Sequence, residues 1–334
     1  MGNFITLLFA AFLLLNCGND SPRHVKRTFM RMDTVEDITL VRHAHSDSDI
    51  ELTWAAIDSF FVNWEARFSQ TTAKSEVLAV NQRTASTVSV SRDLANILYD
   101  ARRYGDTLNG TLDFTILPIK ELWGFGEKGG TEHVPPQDSI LTALKNVDCR
   151  KVTVDTVDRT IRFSSPGTRI DVGGVAKGLI FKKIGALLES RGFDDYLIVE
   201  GGDIYAHGRR GDKQPWRIGV RHPRKPEALL AEFSLDSGAL VTSGDYERFF
   251  MAEGKRYCHI FDPATGMSCV KNQSLTMWAM DPVELDMLST GLFCWDHDSI
   301  LAFVARRPRL QCLVVDSSGK ISMSPGWKDK IHLE

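Results

Sequence analysis

The spacing of apolar residues predicts two amphipathic helices in the first third of the chain. After Asp49, apolar side chains recur at intervals of three and four residues, which is the period of one helix face; they are Ile50, Trp54, Ile57, Phe61, Trp64 and Phe68. A second helix is expected to follow Ser91, whose hydroxyl can cap the first turn. Its inner face would carry Leu94, Ile97, Leu98, Ala101 and Tyr104.

The later part of the chain mixes short apolar runs with helical segments. A hairpin is predicted from residues 152–154 and 161–163, and residues 196–199 are typical of a buried strand. Other strands are predicted at residues 38–41, 216–220, 230–235, 249–251, 256–261, 274–279 and, as the last one, 310–315, and helices at 138–147, 175–191 and 282–293. Because helices and strands mix without a sustained strand–helix–strand alternation, the pattern predicts an α+β fold.

The N-terminus has the pattern of an exported lipoprotein. Residues 7–15 form an apolar run that is too short to span a bilayer and is typical of a signal-peptide core. The segment that follows resembles a bacterial lipoprotein cleavage site with Cys17 as the lipidated residue, although Asn16 is unusual there and no basic residue precedes the run. An uncleaved anchor is the alternative. Either way we expect an exported, membrane-held protein, divided into a signal peptide (1–17), a tether (18–30) and one domain (31–334).

Charge and cysteine spacing argue against two functional classes. The 334 residues are 25% charged and 43% hydrophobic with a formal net charge of −3, and no basic run or basic–aromatic stripe suggests nucleic-acid binding. The cysteines beyond Cys17 show no Cys-x-x-Cys spacing, which argues against a thiolate metal site. A bridge between Cys258 and Cys269 is compatible with the sequence but is not established by it.

A glycine pair between a strand and a helix is the first candidate binding site. Residues 171–178 read Asp-Val-Gly-Gly-Val-Ala-Lys-Gly. A helix that begins after such a turn presents free backbone N–H groups at the positive end of its dipole, which suits a phosphate. Lys177 in the first turn is unfavourable for that dipole unless an anion lies nearby. Asp171 could bind a metal or cap the helix, and the alternative is a plain strand–turn–helix junction.

Two further segments carry side chains suited to metal binding and proton transfer. The helix expected from residue 282 would place Asp286 and Thr290 on one face, where they offer hard oxygen ligands for Mg²⁺. The residues alone favour the alternative, in which the Thr290 hydroxyl bonds the carbonyl four residues earlier and Asp286 is solvated. His259 ends a strand before an Asp-Pro-Ala-Thr-Gly turn, where it could be a general base or a structural residue.

Short polar and glycine-bearing motifs follow one another in a fixed order along the chain. They are residues 107–113 (TLNGTLD), 122–126 (LWGFG), 171–178 (DVGGVAKG), 201–203 (GGD), 242–246 (TSGDY), 259–266 (HIFDPATG) and the pair Asp286 and Thr290. Together they resemble the ApbE-type FAD:protein FMN transferases, from Met32 to the strand at residues 310–315. The resemblance implies an ApbE/T-fold-like α+β domain with mixed strands and helices around a flavin-binding cleft.

The resemblance also implies a lipid-anchored, periplasm-facing enzyme that splits FAD between its phosphates. Such enzymes place FMN on a Ser or Thr hydroxyl of a partner protein through a phosphoester and release AMP. The family's Mg²⁺ ligands correspond here to the backbone carbonyl of Gly174 and to the side chains of Asp286 and Thr290. His259 corresponds to the family's base, and the FAD contacts correspond to Met32, Ser75, Thr111, Leu112, Asp113, Lys177 and Ile260.

Two positions depart from the family pattern, and two other activities fit the same residues. Phe114 follows Asp113 where proline is commoner, and Asp33 follows Met32 where glycine is commoner; neither change removes a metal ligand or the base. With water as the acceptor, the site would be a Mg²⁺-dependent FAD pyrophosphatase that yields FMN and AMP. The other alternative is a flavin-binding lipoprotein without turnover, against which the retained metal ligands and base argue.

Overall fold

The computed structural model describes residues 24–31, 34–70, 72–73, 75–126, 132–327 and 331–333. Within these ranges the α-helices are α1 (Asp47–Phe68), α2 (Glu76–Asn81), α3 (Arg92–Thr107), α4 (Leu117–Leu122), α5 (Gln137–Leu144), α6 (Lys177–Ser190), α7 (Pro282–Leu292) and α8 (His297–Ala305). The strands are β1 (His24–Arg31), β2 (Thr34–Val41), β3 (Thr87–Ser89), β4 (Val152–Asp155), β5 (Thr160–Phe163), β6 (Tyr196–Glu200), β7 (Asp203–His207), β8 (Trp216–His222), β9 (Lys225–Leu235), β10 (Gly238–Gly244), β11 (Phe249–Ala252), β12 (Lys255–Cys258), β13 (Asn272–Ala279), β14 (Gln311–Asp316), β15 (Ile321–Met323) and β16 (Ile331–Leu333).

The strands form one large antiparallel sheet and three smaller ones. The large sheet has eight strands in the order β1-β2-β6-β7-β10-β13-β14-β15, and every neighbouring pair in it is antiparallel. The smaller sheets are β16-β9-β8, β3-β5-β4 and the hairpin β11-β12. Antiparallel pairing needs no crossover helix between strands. This explains why helices and strands mix irregularly along the chain, and it confirms the predicted α+β fold class.

The large sheet separates two apolar cores, because side chains along a strand alternate between its faces. On one face, Ile38 of β2 lies in the same core as Trp54 of α1 and Met287 of α7. On the other face, Leu240 of β10 lies in a second core with Trp216 of β8. Burial of each such side chain contributes about 1.5–3 kcal/mol. The helices α1, α3, α6 and α7 are therefore held on one side of the large sheet, and the sheet β16-β9-β8 on the other.

The two early amphipathic helices are confirmed. Helix α1 begins after Ser46, whose hydroxyl accepts the backbone N–H of Asp49 at 3.2 Å while the Asp49 carboxylate accepts the N–H of Ser46 at 3.0 Å; this reciprocal pair is a capping box. Ser91 caps α3 as predicted, with its hydroxyl 3.3 Å from the backbone nitrogen of Leu94. The apolar positions predicted to face inward are buried, apart from Tyr104, which is partly buried against the same core.

Two predictions along the chain are wrong, and some elements were not predicted. The tether predicted for residues 18–30 includes residues 24–30, which belong to β1. Strand β1 is an edge of the large sheet and fully buries only Phe29, so its sequence has too few apolar residues to be told from a polar linker. The strand predicted as the last, residues 310–315, corresponds to β14 and is followed by β15 and β16. The predicted elements also omit α8 and the short helix α4.

A disulfide joins Cys269 to Cys294, whose Cα atoms lie 5.2 Å apart. The Cys258–Cys269 bridge considered from the sequence is therefore not formed, and Cys258 is a buried free thiol. The end of α7 brings Cys294 to Cys269, a long-range contact that spacing along the chain does not reveal. Among the residues described, no helix is long and apolar enough to cross a membrane. The predicted signal peptide and the lipidated Cys17 lie outside those residues.

Candidate active site

The glycine pair and the start of α6 form the centre of the site. Helix α6 begins at Lys177 rather than at the predicted residue 175, and the backbone N–H of Gly178 donates to Asp286 Oδ2 at 3.0 Å. A Cβ atom at Gly178 would lie 2.1 Å from the carbonyl oxygen of Pro282, so only glycine fits where α7 crosses the first turn of α6. This close crossing places the Asp286 carboxylate under the N-terminus of α6.

The predicted metal ligands lie together. The Thr290 hydroxyl donates to the backbone carbonyl of Gly174 at 3.2 Å, and Asp286 is only 2% exposed. The alternative reading of this helix is therefore wrong, because Thr290 does not bond the carbonyl four residues earlier and Asp286 is not solvated. The hydroxyl that does bond the Asp286 carbonyl, at 3.1 Å, belongs to Ser289.

These groups fit a magnesium ion. One carboxylate, one hydroxyl and one carbonyl are the hard oxygen donors that Mg²⁺ prefers, and Mg²⁺ commonly completes its shell with water and substrate phosphates. Burial raises the pKa of Asp286 to about 6, with Lys177 acting in the opposite direction, so a buried cation would stabilise its charged form. No group of three or more His, Cys, Asp or Glu side chains in the described part of the chain could hold a metal. Asp286 is the carboxylate among the three predicted ligands of a metal at Gly174.

Lys177 is held by carboxylates from the neighbouring strands. Its ammonium pairs with Asp203, which is 2% exposed and also accepts the backbone N–H of Thr242 at 2.9 Å. Although burial opposes the charge of Lys177, the carboxylates around it raise its pKa; in order of effect they are Asp203, Asp286 and Glu200. Lys177 is therefore a permanent cation with a defined position. The motifs at residues 201–203 and 242–246 meet at this ion pair.

Two buried glutamates beside Lys177 were missed by the sequence analysis. Glu36 of β2 and Glu200 of β6 are directly opposite each other in register and are 0% and 3% exposed. Neither carboxylate oxygen of Glu36 has a hydrogen-bond partner among the described residues. Burial, followed by the charge of Glu200, raises the pKa of Glu36 well above its usual value. Each glutamate lies two residues from an isoleucine that faces the core, Ile38 or Ile198, and therefore faces the core as well. This alternation is the sequence feature from which the buried glutamates could have been predicted.

The substitution Glu36→Gln is expected to stabilise the protein. An acid whose pKa is raised on folding loses its proton on unfolding above its ordinary pKa, so stability falls as the pH rises from about 4.5 towards the folded-state value. Glutamine removes that cost, and we expect a gain of about 1–3 kcal/mol at pH 8 and a much smaller one at pH 5. Urea unfolding at both pH values measures it, with the exposed Glu51→Gln as the control. Equal or lower stability of Glu36→Gln at pH 8 would contradict this account.

His259 follows the hairpin β11-β12 and is oriented by one backbone carbonyl. The carbonyl oxygen of Arg248 accepts the backbone N–H of His259 at 3.1 Å and lies 3.3 Å from its ring Nδ1. Because a carbonyl oxygen only accepts, Nδ1 carries the proton and Nε2 keeps its lone pair. Burial lowers the pKa of His259 to about 3, and the cations Lys120 and Arg248 act in the same direction. The ring is therefore neutral at physiological pH and has the form that a general base needs.

Asp171 closes the glycine turn, and its partner Lys120 was also missed by the sequence analysis. Asp171 is 4% exposed; it pairs with the ammonium of Lys120 and accepts the backbone N–H of Gly173 and the side-chain amide of Gln70, both at 2.9 Å. Although burial opposes its ionisation, Lys120 holds the pKa of Asp171 below its usual value. The helix cap considered for Asp171 is not formed, because the N-cap residue of α6 is Ala176 and no side chain caps this helix; the Asp171 carboxylate holds the glycine turn instead.

Several predicted FAD contacts have structural tasks of their own. The Ser75 hydroxyl caps α2 by accepting the N–H of Leu78 at 3.1 Å. The Thr111 hydroxyl accepts the indole N–H of Trp295 at 2.9 Å. The Asp113 carboxylate accepts the backbone N–H groups of Thr115 at 2.7 Å and Cys149 at 2.8 Å. Their contacts with FAD stay predictions.

The remaining predicted contacts lie near the metal ligands or beyond the described residues. Leu112 packs at Gly291, the residue after Thr290, where a Cβ on that glycine would lie 3.1 Å from the Leu112 Cβ. Ile260 directly follows His259 and is partly buried. Met32 lies outside the described residues. The fold thus gathers Gly174, Lys177, Asp286 and Thr290 at one end of α6, with Leu112 beside them, and brings His259 within electrostatic reach of Lys177.

The chain belongs to the ApbE family, whose model matches residues 32–314. A relative from Haemophilus influenzae, named FAD:protein FMN transferase, is 31% identical over 258 residues, which cover 75% of each chain. A relative of the same name from Vibrio cholerae is 27% identical over 320 residues, or 94% of each chain.

Solved structures confirm an ApbE-type fold. The ApbE protein of Thermotoga maritima superposes with a TM-score of 0.83 at 28% identity, over 92% of this chain and 99% of that one. The flavin transferase ApbE of Vibrio cholerae gives the same TM-score at 25% identity, with the same coverage.

Proposed function

We propose that this chain is a Mg²⁺-dependent enzyme that transfers FMN from FAD to a Ser or Thr hydroxyl of a partner protein and releases AMP. The observation that carries the proposal is the arrangement around the glycine turn. A carbonyl, a carboxylate and a hydroxyl suited to Mg²⁺ lie beside a permanent cation, Lys177, and His259 is held neutral nearby. The names of the family relatives support the transfer of FMN from FAD to a protein.

The residues of the site divide the work of the reaction. Gly174, Asp286 and Thr290 would hold the Mg²⁺, which supplies neutralisation of the diphosphate charge as the bond to the leaving group breaks. Lys177 would bind the diphosphate oxygens, since its position is fixed by Asp203. His259 Nε2 would take the proton of the acceptor hydroxyl as its oxygen bonds to the FMN phosphorus. The phosphoanhydride bond breaks, and AMP leaves as a phosphate that needs no added proton.

The proposed cellular location of the enzyme rests on the sequence pattern at the N-terminus, which lies outside the described residues. We propose that residues 1–17 direct export and that a lipid on Cys17 holds the enzyme on a bacterial membrane, facing the periplasm. The acceptor would then be an exposed Ser or Thr on a flavoprotein subunit at the same membrane.

The test is flavinylation of an acceptor by the full-length protein in detergent. FAD and Mg²⁺ would be incubated with an acceptor domain from a flavinylated membrane subunit and with the same domain carrying Ala at the target Ser or Thr. We expect a mass gain of one FMN on the first domain and none on the second, with AMP released in step and both signals lost in EDTA. AMP and free FMN without a mass gain would make the enzyme a pyrophosphatase. Bound FAD without AMP would make it a flavin-binding protein.

A further inference from the structure

Three cations act on the ring of His259, and they differ in how they are balanced. Lys120 of α4, Lys177 of α6 and Arg248, which precedes β11, all disfavour its protonated form. Lys177 pairs with Asp203, and Lys120 pairs with the buried Asp171 of the glycine turn. Within the described part of the chain, Arg248 forms no ion pair, and its Nη2 donates only to the carbonyl of Phe125, at 3.2 Å.

The position of Arg248 ties it to the base. The backbone carbonyl of Arg248 accepts hydrogen bonds from both the backbone N–H and the ring Nδ1 of His259. The side chain of Arg248 therefore extends from a backbone position next to the proposed base. The guanidinium also acts electrostatically on Asp171, which places it on the side of the glycine turn. Arg256 of the same hairpin is different, because its guanidinium lies 3.8 Å over the ring of Phe249. Among the described residues, Arg248 is therefore the one of these three cations that is not in an ion pair with a carboxylate.

We infer that Arg248 is a substrate-binding residue whose guanidinium binds the non-bridging oxygens of the FMN phosphate that is attacked beside His259. A guanidinium presents parallel N–H donors that match two oxygens of one phosphate. Because no carboxylate among the described residues forms an ion pair with Arg248, its guanidinium binds such an anion without first breaking one. The assignment rests on the proposed function and adds to it a second cationic contact besides Lys177.

The substitution Arg248→Gln tests the assignment through binding. Flavin fluorescence would measure the affinity of the full-length protein in detergent, without Mg²⁺, for FAD, FMN and riboflavin, which differ in the phosphate. Loss of a charged hydrogen bond should weaken FAD and FMN by about 10- to 100-fold, while riboflavin changes by less than about twofold. Arg248→Lys should recover part of the loss, since charge remains but the paired donors do not. Thermal melting would show that the exposed substitution leaves the fold intact.

The control is Arg256→Gln, which removes the same charge from the same hairpin and should leave the affinity for all three flavins unchanged. Two results would overturn the assignment: FAD and FMN affinities of Arg248→Gln equal to those of the wild type, or an equal loss for riboflavin, which would place the effect on the flavin ring. If the wild-type protein bound none of the flavins either without or with Mg²⁺, the proposed function would fail and the assignment with it. Flavin binding without transfer would affect the proposed function alone.

Discussion

Replacement of Asp286 by alanine is expected to abolish Mg²⁺-dependent turnover while the protein remains folded. Asp286 is the only carboxylate among the three proposed ligands, and without it a carbonyl and a hydroxyl are too weak to hold the ion. A metal that neutralises phosphate charge lowers the activation barrier by several kcal/mol. Without it, the rate of AMP release should fall by about 100-fold or more. Asp286→Asn keeps the hydrogen bond from Gly178 and should be nearly as inactive, because it still lacks the charge.

Two measurements separate loss of the metal from loss of the fold. A Mg²⁺ titration followed by thermal melting should raise the midpoint of the wild type and leave both Asp286 variants unchanged. Circular dichroism should show native secondary structure in Asp286→Asn. The exposed Asp298→Ala on α8 serves as a control for loss of one carboxylate and should keep full activity. Normal turnover in Asp286→Ala would remove Asp286 from the metal site.

The metal ligands show which part of the site could be predicted from spacing. The helix period correctly put Asp286 and Thr290 on one face of α7. It could not show that this face meets Gly174, which lies 116 residues earlier in the chain, because that contact depends on how closely α6 and α7 cross. The crossing in turn requires Gly178, whose missing side chain leaves room for the Pro282 carbonyl. Residues alone therefore favoured the wrong partner for the Thr290 hydroxyl.

Lys177 illustrates a correct physical argument with an incomplete conclusion. A cation at a helix N-terminus is unfavourable unless an anion lies near it, and the sequence analysis attributed that anion to a bound phosphate. The structure shows that the protein already supplies anions, chiefly Asp203. Asp203 and Glu200 come from β7 and β6, the strands after α6, and Asp286 comes from α7. Only the pairing of the strands and the packing of the two helices bring these carboxylates to the start of α6. Strand pairing is a tertiary property, which is also why the opposed Glu36 and Glu200 were missed.

The predictions for the edge strand β1 and for the disulfide were wrong for a related reason. Strand β1 has few buried residues because only one neighbour covers it, so its pattern lacks the apolar alternation of an inner strand. The choice among the possible cysteine pairs depends on the end of α7, which carries Cys294 to Cys269. Local signals, such as the cap at Ser91 and the apolar spacing after Asp49, were sufficient to predict the early helices. The partners of residues across the sheet depend on the fold itself.

Replacement of His259 by alanine is expected to slow transfer far more than it weakens FAD binding. A hydroxyl is a poor nucleophile, and a positioned base contributes about 10²–10⁴-fold to its attack. His259 is suited to that role because its Nδ1 is held by the Arg248 carbonyl, so that Nε2 carries the lone pair. We therefore expect the rate of acceptor flavinylation to fall by about this factor, with the FAD affinity unchanged within about threefold. His297→Ala, on α8, is the control and should behave as the wild type.

The pH dependence gives the same residue a second test. Burial and the neighbouring cations hold the pKa of His259 at about 3, so the neutral, proton-accepting form is present in the free enzyme throughout the range in which an ordinary histidine titrates. For kcat/KM, which reports ionisations of the free enzyme, we expect no loss from His259 protonation as the pH falls from 8 to 5. An inflection near pH 6.5 that disappeared in His259→Ala would show an ordinary histidine at this position. An unchanged transfer rate in His259→Ala would remove the residue from the role of base, and the acceptor hydroxyl would then have to lose its proton to another group near Lys177.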